Sequence, residues 1–563
     1  MKTTIFSLLF FISFCYGQTP YPQDYFSNPL DINLILSGSF AELRTNHFHS
    51  GLDIKTQGKE GLKTYASAQG YVSRIKISRN GYGKALYIKH PNGYTTVYAH
   101  LQKFSPTIEA YVKKQQYEKE AFELELFPKA GTLKVLDKQF IAITGNTGGS
   151  GGPHLHFEIR DHQERPINPL IFGFDIKDTT PPVIYGLFGY PLSEDSHIRG
   201  ESKKRVKIRV LKNQDGTYTS EPITAYGEVG FGIISTDRQD LASNKNGVNR
   251  IETSYNGGSS IEVDFKRFSF DETKHLNRYI DFEFFYENKK RIQKLFIEKN
   301  NPLSMLKAYT NNGALKIEND TSAIYKVIVS DFKGNKSELN IPIKGVYKKS
   351  AHPKQNNTHL QHISASEEIR LEKDHISVHI LKNTFYEDVD IQFEVSNDTL
   401  KLHTAIIPLQ KSMTINFDVS RYKENDKKYL FIGSVSRYGN KLYYAPTKKR
   451  GNSLTTRTKY LGSYTLGTDN KNPEIKAINF KNKSWISNHP FLKVKISDKI
   501  SGIKNYRATI NGQWILMEYD TKTQLLTYNF DDHKTTETEN NLKIIVTDNV
   551  GNSSTFETIF YRK

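Results

Sequence analysis

Cysteine is almost absent from the sequence, which has only Cys15, inside a short apolar stretch near the N-terminus. The basic residue Lys2 precedes the apolar residues 5–14, and Gly17 follows them. This order is typical of a secretory signal peptide, so residues 1–17 are predicted to be one. Cleavage after Gly17 would remove the cysteine, and the exported protein would then have neither disulfides nor thiol chemistry.

A lipoprotein signal is the alternative interpretation, with Cys15 as the lipidated residue. Phe14 argues against it, because such a signal requires a small residue at that position. The sequence also lacks any later run of about 18 uninterrupted apolar residues. We therefore predict an exported protein that is periplasmic, cell-surface or secreted, with no transmembrane segment in the mature chain.

Acidic residues are too few to balance the basic ones: Asp and Glu number 60 against 78 Lys and Arg, a formal net charge of +18. The basic excess is spread along the chain without an arginine-rich arm, so it suits a polyanionic surface and indicates no nucleic acid partner. Aromatic residues make up 12% of the 563 residues, too many for a disordered chain. This length predicts roughly three to five folded units.

Short β-prone runs separated by glycine-containing turns fill residues 43–160 and predict a small antiparallel β core. Ser105 and Pro106 interrupt this pattern and precede a run rich in Lys, Gln and Glu at 108–122. A cap residue followed by a proline is a helix start signal, so one helix is predicted to be inserted in this domain. It could form a wall or a lid over a groove.

Two stretches beyond Asp175 resemble each other. Each opens with the pattern D-x-x-x-P-x-I, at 178–184 and 469–475, and each closes with a β run followed by an Asp and a Gly-Asn pair. This repetition predicts two copies of one β-sandwich. The overall prediction is a mainly all-β protein, a small β core with one inserted helix followed by Ig-like β-sandwiches. The predicted units are a signal peptide at 1–17, the first β domain at 18–174, an Ig-like β-sandwich with long insertions at 175–346, a linker at 347–365, a β-sandwich-like domain at 366–468 and an Ig-like β-sandwich at 469–563.

The first β domain contains four histidines and an aspartate whose spacing suits a metal site. His154 and His156 alternate along a predicted strand and so face the same side, whereas His49 and Asp53 need a turn between them, which Gly51 permits. Two imidazoles and one carboxylate would make a zinc site with an open fourth position. Two histidines would remain as acid–base groups or oxyanion stabilisers, the composition of a hydrolytic zinc site.

Each of these signals is weak alone. A lone histidine such as His100 is more often a packing or hydrogen-bonding residue. An isolated H-x-H pair occurs by chance, and His47 offers a second register for the first motif. Together in one β domain the signals are much stronger.

The motif order resembles the lysostaphin/LytM-type zinc metallopeptidases, whose signature is H-x-x-x-D, a middle histidine and a terminal H-x-H. Here the glycine-rich stretch 145–150 precedes the last motif, and the resemblance covers about residues 40–160. It implies a duplicated hybrid motif β core with the site in an open groove. It further implies three ligands for one zinc ion, His49, Asp53 and His156, and two catalytic residues, His100 and His154.

Members of that family cut peptide bonds in the stems or cross-links of bacterial peptidoglycan. The resemblance therefore implies an exported zinc metalloendopeptidase of a bacterial envelope, with peptidoglycan as its partner. The alternative is a non-catalytic surface or scaffold protein, or an amidase regulator, that binds the cell wall through Ig-like modules. In either case those modules could also bind an envelope protein or a polyanion.

The sequence contains no HExxH glutamate, so the proton transfers are assigned to His100 and His154. Glu158 lies on the same strand face as His156 and could orient that ligand. A solvent-facing glutamate is the favoured interpretation.

Overall fold

The computed structural model describes residues 21–349, 360–535 and 537–563. The predicted signal peptide and most of the predicted linker therefore lie outside the described residues. In the described part of the chain, no helix combines the length and the apolar character needed to cross a membrane. Strands predominate, as predicted.

The described residues of the first domain form one extensively paired antiparallel β structure with a single α-helix. Its elements are β1 (Leu36–Gly38), β2 (Leu52–Lys55), β3 (Lys63–Tyr65), β4 (Gly70–Ile77), β5 (Lys84–Lys89), β6 (Thr95–Phe104), α1 (Pro106–Lys119), β7 (Leu124–Leu126), β8 (Lys134–Val135), β9 (Phe140–Thr144), β10 (His154–Arg160) and β11 (Pro166–Ile167).

The main sheet of this domain has the strand order β1-β2-β10-β6-β5-β4-β7. Its central strands are almost entirely apolar on the inner face, with Leu52, Leu86 and Phe157 fully buried. Since β10 lies between β2 and β6, the sheet brings the three sequence motifs onto neighbouring strands.

The predicted helix is present as α1: it begins at Pro106, as the start signal predicted, and ends at Lys119, before the end of the predicted run at Phe122. Pro106 occupies its first turn, but the Ser105 side chain makes no capping bond. Its buried face packs Ile108 and Val112 against the first domain. On its other side, the Tyr117 hydroxyl donates a hydrogen bond of 2.8 Å to the side-chain carboxylate of Asp532, so the helix docks against the last domain.

The second unit begins near residue 175 and is a sheet structure with two short helices. Its elements are β12 (Val183–Pro191), β13 (His197–Ile198), β14 (Val206–Ile208), β15 (Val210–Lys212), β16 (Tyr218–Ser220), β17 (Ile223–Thr236), β18 (Arg250–Tyr255), β19 (Gly258–Asp264), α2 (Leu276–Tyr279), α3 (Phe282–Asn288), β20 (Gln293–Lys294), β21 (Leu306–Ala308), β22 (Leu315–Ile317), β23 (Ser322–Ser330) and β24 (Lys336–Gly345). It shares one continuous hydrophobic core with the first domain.

The third and fourth units each have a core of their own, built between two sheets. The third contains β25 (Gln361–Ile363), β26 (Ile369–Lys373), β27 (Ile376–Ile380), β28 (Val389–Ile391), β29 (Glu394–Ser396), β30 (Thr399–Leu402), β31 (Met413–Asp418), α4 (Glu424–Lys427), β32 (Leu430–Val435), β33 (Leu442–Tyr444), β34 (Lys448–Arg450), β35 (Ser453–Thr458) and β36 (Gly462–Thr468). The fourth contains β37 (Glu474–Ala477), β38 (Ser484–Trp485), β39 (Phe491–Ser497), β40 (Ile503–Ile510), β41 (Gln513–Trp514), β42 (Met517–Asp520), β43 (Leu525–Asn529), β44 (Glu539–Asp548) and β45 (Ser553–Tyr561).

The second and fourth units repeat the same contacts at their matching sequence patterns. Strand β12 pairs with β17 as β37 pairs with β39, and β23 pairs with β24 as β44 pairs with β45. The Asn335 amide donates to the Asp178 carbonyl (3.2 Å), and Asn552 donates in the same way to Asp469 (3.0 Å). The repeated opener and closer therefore meet at one end of each unit.

Candidate metal and catalytic site

Sheet register places the motif residues on adjacent strands. Asp53 of β2 lies directly opposite His156 of β10, and His156 lies opposite Ala99, the residue before His100 on β6. His49 precedes β2 by a turn through Gly51. That glycine is required by a close approach, since a Cβ atom there would lie 2.2 Å from the Phe157 carbonyl oxygen.

His49, Asp53 and His156 form a compact buried triangle whose donor atoms lie within 4.8 Å of one another. Asp53 Oδ1 is 3.0 Å from His49 Nε2 and 2.9 Å from His156 Nδ1, and these two nitrogens are 3.1 Å apart. The three groups converge on one point, so they could hold a metal ion together.

Each corner of the triangle is fixed by an outer hydrogen bond. His49 Nδ1–H donates to the Ser39 carbonyl oxygen at 2.7 Å, which leaves Nε2 for the metal. Arg44 Nη2 donates to Asp53 Oδ2 at 3.0 Å, which leaves Oδ1. Such outer partners set the tautomer and the orientation of metal ligands.

Glu158 is the outer partner of His156, and the expectation of a solvent-facing glutamate was wrong. Its side chain is fully buried, and His156 Nε2–H donates to Oε1 at 2.8 Å. Arg160 Nε donates to the other oxygen at 2.6 Å, and Ser50 and Tyr82 also donate to Oε1. Burial opposes ionisation, but Arg160 and His156 hold the pKa of Glu158 well below its usual range.

His100 reaches the site through a local distortion of β6. Two residues of β6 face one of β5 here, and His100 has a φ of 60°, a bulge that redirects its side chain. Its Nδ1–H donates to the Thr147 carbonyl oxygen at 2.8 Å, so Nε2 is the nitrogen left for the site. The glycine-rich stretch before β10 therefore positions this histidine.

His154 stands beside His100 on the same side of the triangle. The two ring centroids are 4.7 Å apart, and His154 Nε2 lies 3.4 Å from Asp53 Oδ1. The Gly152 carbonyl oxygen is 2.8 Å from His154 Nδ1. Both histidines thus hold Nδ1 against a backbone carbonyl and keep Nε2 for chemistry.

The protonation states of His100 and Asp53 fit these contacts. Burial, with the nearby His156 and His154, lowers the pKa of His100 to about 3, so this ring is neutral at neutral pH. Burial disfavours the charged form of Asp53, but His49 and the other two histidines hold its pKa well below its usual range. Burial disfavours the charged form of His156, but Asp53 and Glu158 raise its pKa to about 9, so this ring would give up a proton when it binds a metal ion.

The structure brings all five residues predicted from the sequence around one site. Sequence reasoning missed their supports, Ser39, Arg44, Tyr82 and Thr147. Two of these act through a backbone carbonyl, which no side-chain motif reveals. The signal for Glu158 was present, since Arg160 follows it on the same strand face and could have indicated a buried ion pair.

Residues 47–117 match Peptidase family M23, and residues 360–469 match the Zu5-like domain. The DD-carboxypeptidase/endopeptidase Mpg of Neisseria meningitidis serogroup B is 34% identical over 138 residues, 24% of this chain and 26% of that protein. The peptidoglycan DD-endopeptidase ShyA of Vibrio cholerae serotype O1 is 31% identical over 134 residues, 24% of this chain and 25% of that protein.

A solved structure, the catalytic domain of lysostaphin from Staphylococcus simulans, is similar at 20% identity over 25% of this chain and 91% of that chain, with a TM-score of 0.19. The chain covers about a quarter of the length of the two relatives above. The match of residues 47–117 to Peptidase family M23 confirms the resemblance inferred from the motifs: the chain contains a peptidase domain of that family.

Proposed function

We propose that the protein is an exported, zinc-dependent metalloendopeptidase that hydrolyses peptide bonds in the stems or cross-links of peptidoglycan. One observation carries the proposal: a buried triangle of two histidines and an aspartate has two further histidines beside it, all with fixed tautomers. The names of the relatives, a peptidoglycan DD-endopeptidase among them, support the substrate class.

The donor set fits one zinc ion. Two imidazoles and one carboxylate are a typical ligand set of catalytic zinc, which keeps a fourth position open. His49, Asp53 and His156 would hold the ion. When bound, zinc polarises the scissile carbonyl and makes the attacking water more acidic.

The chain's own residues then move the protons. His100 and His154 can each accept a proton at Nε2 from the attacking water, because Nδ1 keeps its own proton for a backbone carbonyl. The protonated ring can afterwards donate to the leaving amine or stabilise the oxyanion. The structure treats both histidines alike in this respect, and we assign both as catalytic residues.

The domains after the peptidase domain are proposed to hold it at its polymer. The fourth unit contacts the glycine-rich stretch beside the site, since Lys522 Nζ donates to Asn146 Oδ1 at 3.1 Å. Lys84, the first residue of β5, pairs with Glu518 at 2.8 Å. These contacts fix the position of the last domain relative to the glycine-rich stretch.

The test is digestion of isolated peptidoglycan by the zinc-loaded protein, with the fragments identified by mass spectrometry. His154→Ala removes a proposed catalytic imidazole, and His162→Ala removes an exposed histidine of the same domain as a matched control. New peptide termini are expected with the wild type and His162→Ala but not with His154→Ala. Intact muropeptides from the zinc-loaded wild type, with retention on the polymer, would favour the non-catalytic scaffold instead.

A further inference from the structure

Three aspartates meet at the end of the second unit, away from the peptidase site. Asp178 precedes β12, Asp237 follows β17 and Asp331 follows β23, and their carboxylates offer oxygens within 4.8 Å of one another. Asp237 and Asp331 are 7% and 4% exposed. Among the described residues, none of the three forms an ion pair with a lysine, arginine or histidine. Three negative charges are therefore gathered with no positive side chain to balance them.

One oxygen of this cluster has no partner at all. Asp237 Oδ1 is buried and accepts no hydrogen bond from any described residue. Asp178 and Asp237 also line a cavity of about 30 Å³, large enough for one ion or one water molecule. Leaving a buried carboxylate oxygen unpaired is costly, so both the cavity and the free oxygen indicate an occupant.

We propose that Asp178, Asp237 and Asp331 bind a calcium ion. The side-chain donors are all oxygens, which suit a hard divalent cation and not zinc, which favours nitrogen and sulfur. Carboxylates carried by the ends of three different strands adapt to the irregular coordination of calcium more readily than to the strict octahedron of magnesium. The evidence for this site does not rest on the proposed peptidase activity.

The fourth unit contains an instructive counterpart. Asp469, Asp498 and Asp548 occupy the equivalent strand ends and also lie within 4.8 Å of one another. Their oxygens are satisfied by the backbone: Asp498 Oδ1 accepts from the Ile500 and Gly502 amides, and Asp548 Oδ1 accepts from the amides of residues 550–552. Because these oxygens already have partners, we expect no cation at this second cluster, which therefore supplies a matched control.

The proposed calcium site also lies next to the first strand of the peptidase domain, β1. Gln239, two residues after Asp237, makes two hydrogen bonds to the backbone at the start of β1. Its side-chain oxygen accepts from Leu36 N, and its side-chain nitrogen donates to the carbonyl oxygen of Leu34, which lies just before β1. At the far end of the same loop, Gly247 N donates to Ser39 Oγ at 2.9 Å. Ser39 is the residue whose carbonyl orients His49. Calcium would therefore hold the loop that supports this residue.

The test measures calcium binding by the full-length protein with equilibrium dialysis. Before the measurement, the protein is loaded with one equivalent of zinc in calcium-free buffer. Wild type and Asp498→Asn are expected to bind one calcium ion and to melt at a higher temperature when calcium is added. Asp237→Asn keeps the side-chain shape but should bind calcium at least about tenfold more weakly, because ligand charge sets affinity. It should also melt higher than the wild type in calcium-free buffer, since one repelling charge is gone.

Two outcomes would overturn the assignment. One is a wild-type protein that binds no calcium at millimolar concentration, and the other is an Asp237→Asn protein that binds it as well as the wild type. If Asp237→Asn does not fold, Asp178→Asn at the half-buried corner replaces it, with the same expected loss of binding.

Discussion

At the scale of single residues, the site depends on hydrogen bonds that fix which nitrogen of each histidine faces inward. The five residues of the site were predictable because their spacing along the chain survives in the strand register. Ser39 and Thr147 were not predictable, because their contribution is a carbonyl whose position depends on a turn and a bulge. Glu158 was misjudged because strand alternation gives the face of a residue but not what covers that face.

Removing Glu158 should weaken zinc binding. In Glu158→Ala the His156 ring loses its acceptor at Nε2, so its orientation and basicity fall, and zinc affinity should drop about 10- to 100-fold. Competition with a chromogenic chelator measures this change. Glu60→Ala, at an exposed position of the same domain, is the control. Equal affinity in both variants would mean that Glu158 supports the fold but not the metal.

Variants of the proposed ligand histidines and of the proposed catalytic histidines should differ in how much zinc they bind. His49→Ala should lose zinc together with activity, whereas His100→Ala should retain one zinc per chain and lose about 10²- to 10⁴-fold in cleavage rate. Metal analysis and a rate assay on the same preparations give both values. A His100→Ala protein that cleaves at the wild-type rate would remove this residue from the mechanism.

At the scale of elements, the sequence repeat and the helix start signal predicted structure correctly, whereas contacts between the units could not be predicted from the sequence. The Ser105-Pro106 signal correctly predicted α1, but its end could not be placed because the last turn lies against another domain. The repeated opener and closer were visible in the sequence. The difference between the two aspartate clusters was not visible in the sequence. The hydrogen bonds of Asp498 and the unpaired oxygen of Asp237 depend on the backbone around each carboxylate.

The contact between α1 and the fourth unit should contribute measurably to stability. Asp532 accepts hydrogen bonds from both Lys113 and Tyr117, and its side chain is almost fully buried. Asp532→Ala should lower the free energy of unfolding by about 1.5 to 3 kcal/mol, the range for hydrogen bonds to a charged group. The neighbouring Asp531→Ala, at an exposed position, should change little. Identical denaturation curves for the two variants would show that the docking contributes nothing.

The aspartate cluster should also impose a pH dependence when calcium is absent. Burial, and then repulsion by Asp178, raises the pKa of Asp237 to about 7, and burial, with Asp331 and Asp240 nearby, raises that of Asp178 to about 6. Between about pH 4 and pH 7 the folded chain then binds more protons than the unfolded chain, so the free energy of unfolding falls as pH rises.

Denaturant titrations at several pH values in calcium-free buffer test this dependence by difference. The wild type should lose stability relative to Asp237→Asn as the pH increases from about 5 to 8. A constant difference between the two proteins over that range would contradict the raised pKa values.

At the scale of the whole molecule, a small peptidase domain is joined to three β units, one of which matches the Zu5-like domain. The first two units share a core, so they are expected to move together, whereas the third and fourth have cores of their own. The length of the chain predicted several folded units, and the motifs predicted the site. The shared core depends on contacts between distant segments and had no sequence signal.

The net charge of +18 should appear in polymer binding. Inactive His154→Ala protein is expected to sediment with isolated cell walls at low salt and to be released as salt increases, because exposed charges are screened. Walls stripped of anionic groups should retain less of it. Binding that does not change with salt would point to a specific pocket and not to the overall charge.

We propose that one zinc ion held by His49, Asp53 and His156 makes the protein a peptidase. The most direct measurement is a zinc titration of the metal-free protein, with peptidoglycan cleavage followed by the appearance of new peptide termini. We predict no cleavage without metal, a rise up to one equivalent of zinc, and no rise in His156→Ala. Cleavage by the metal-free protein, or by His156→Ala at one equivalent of zinc, would contradict this account.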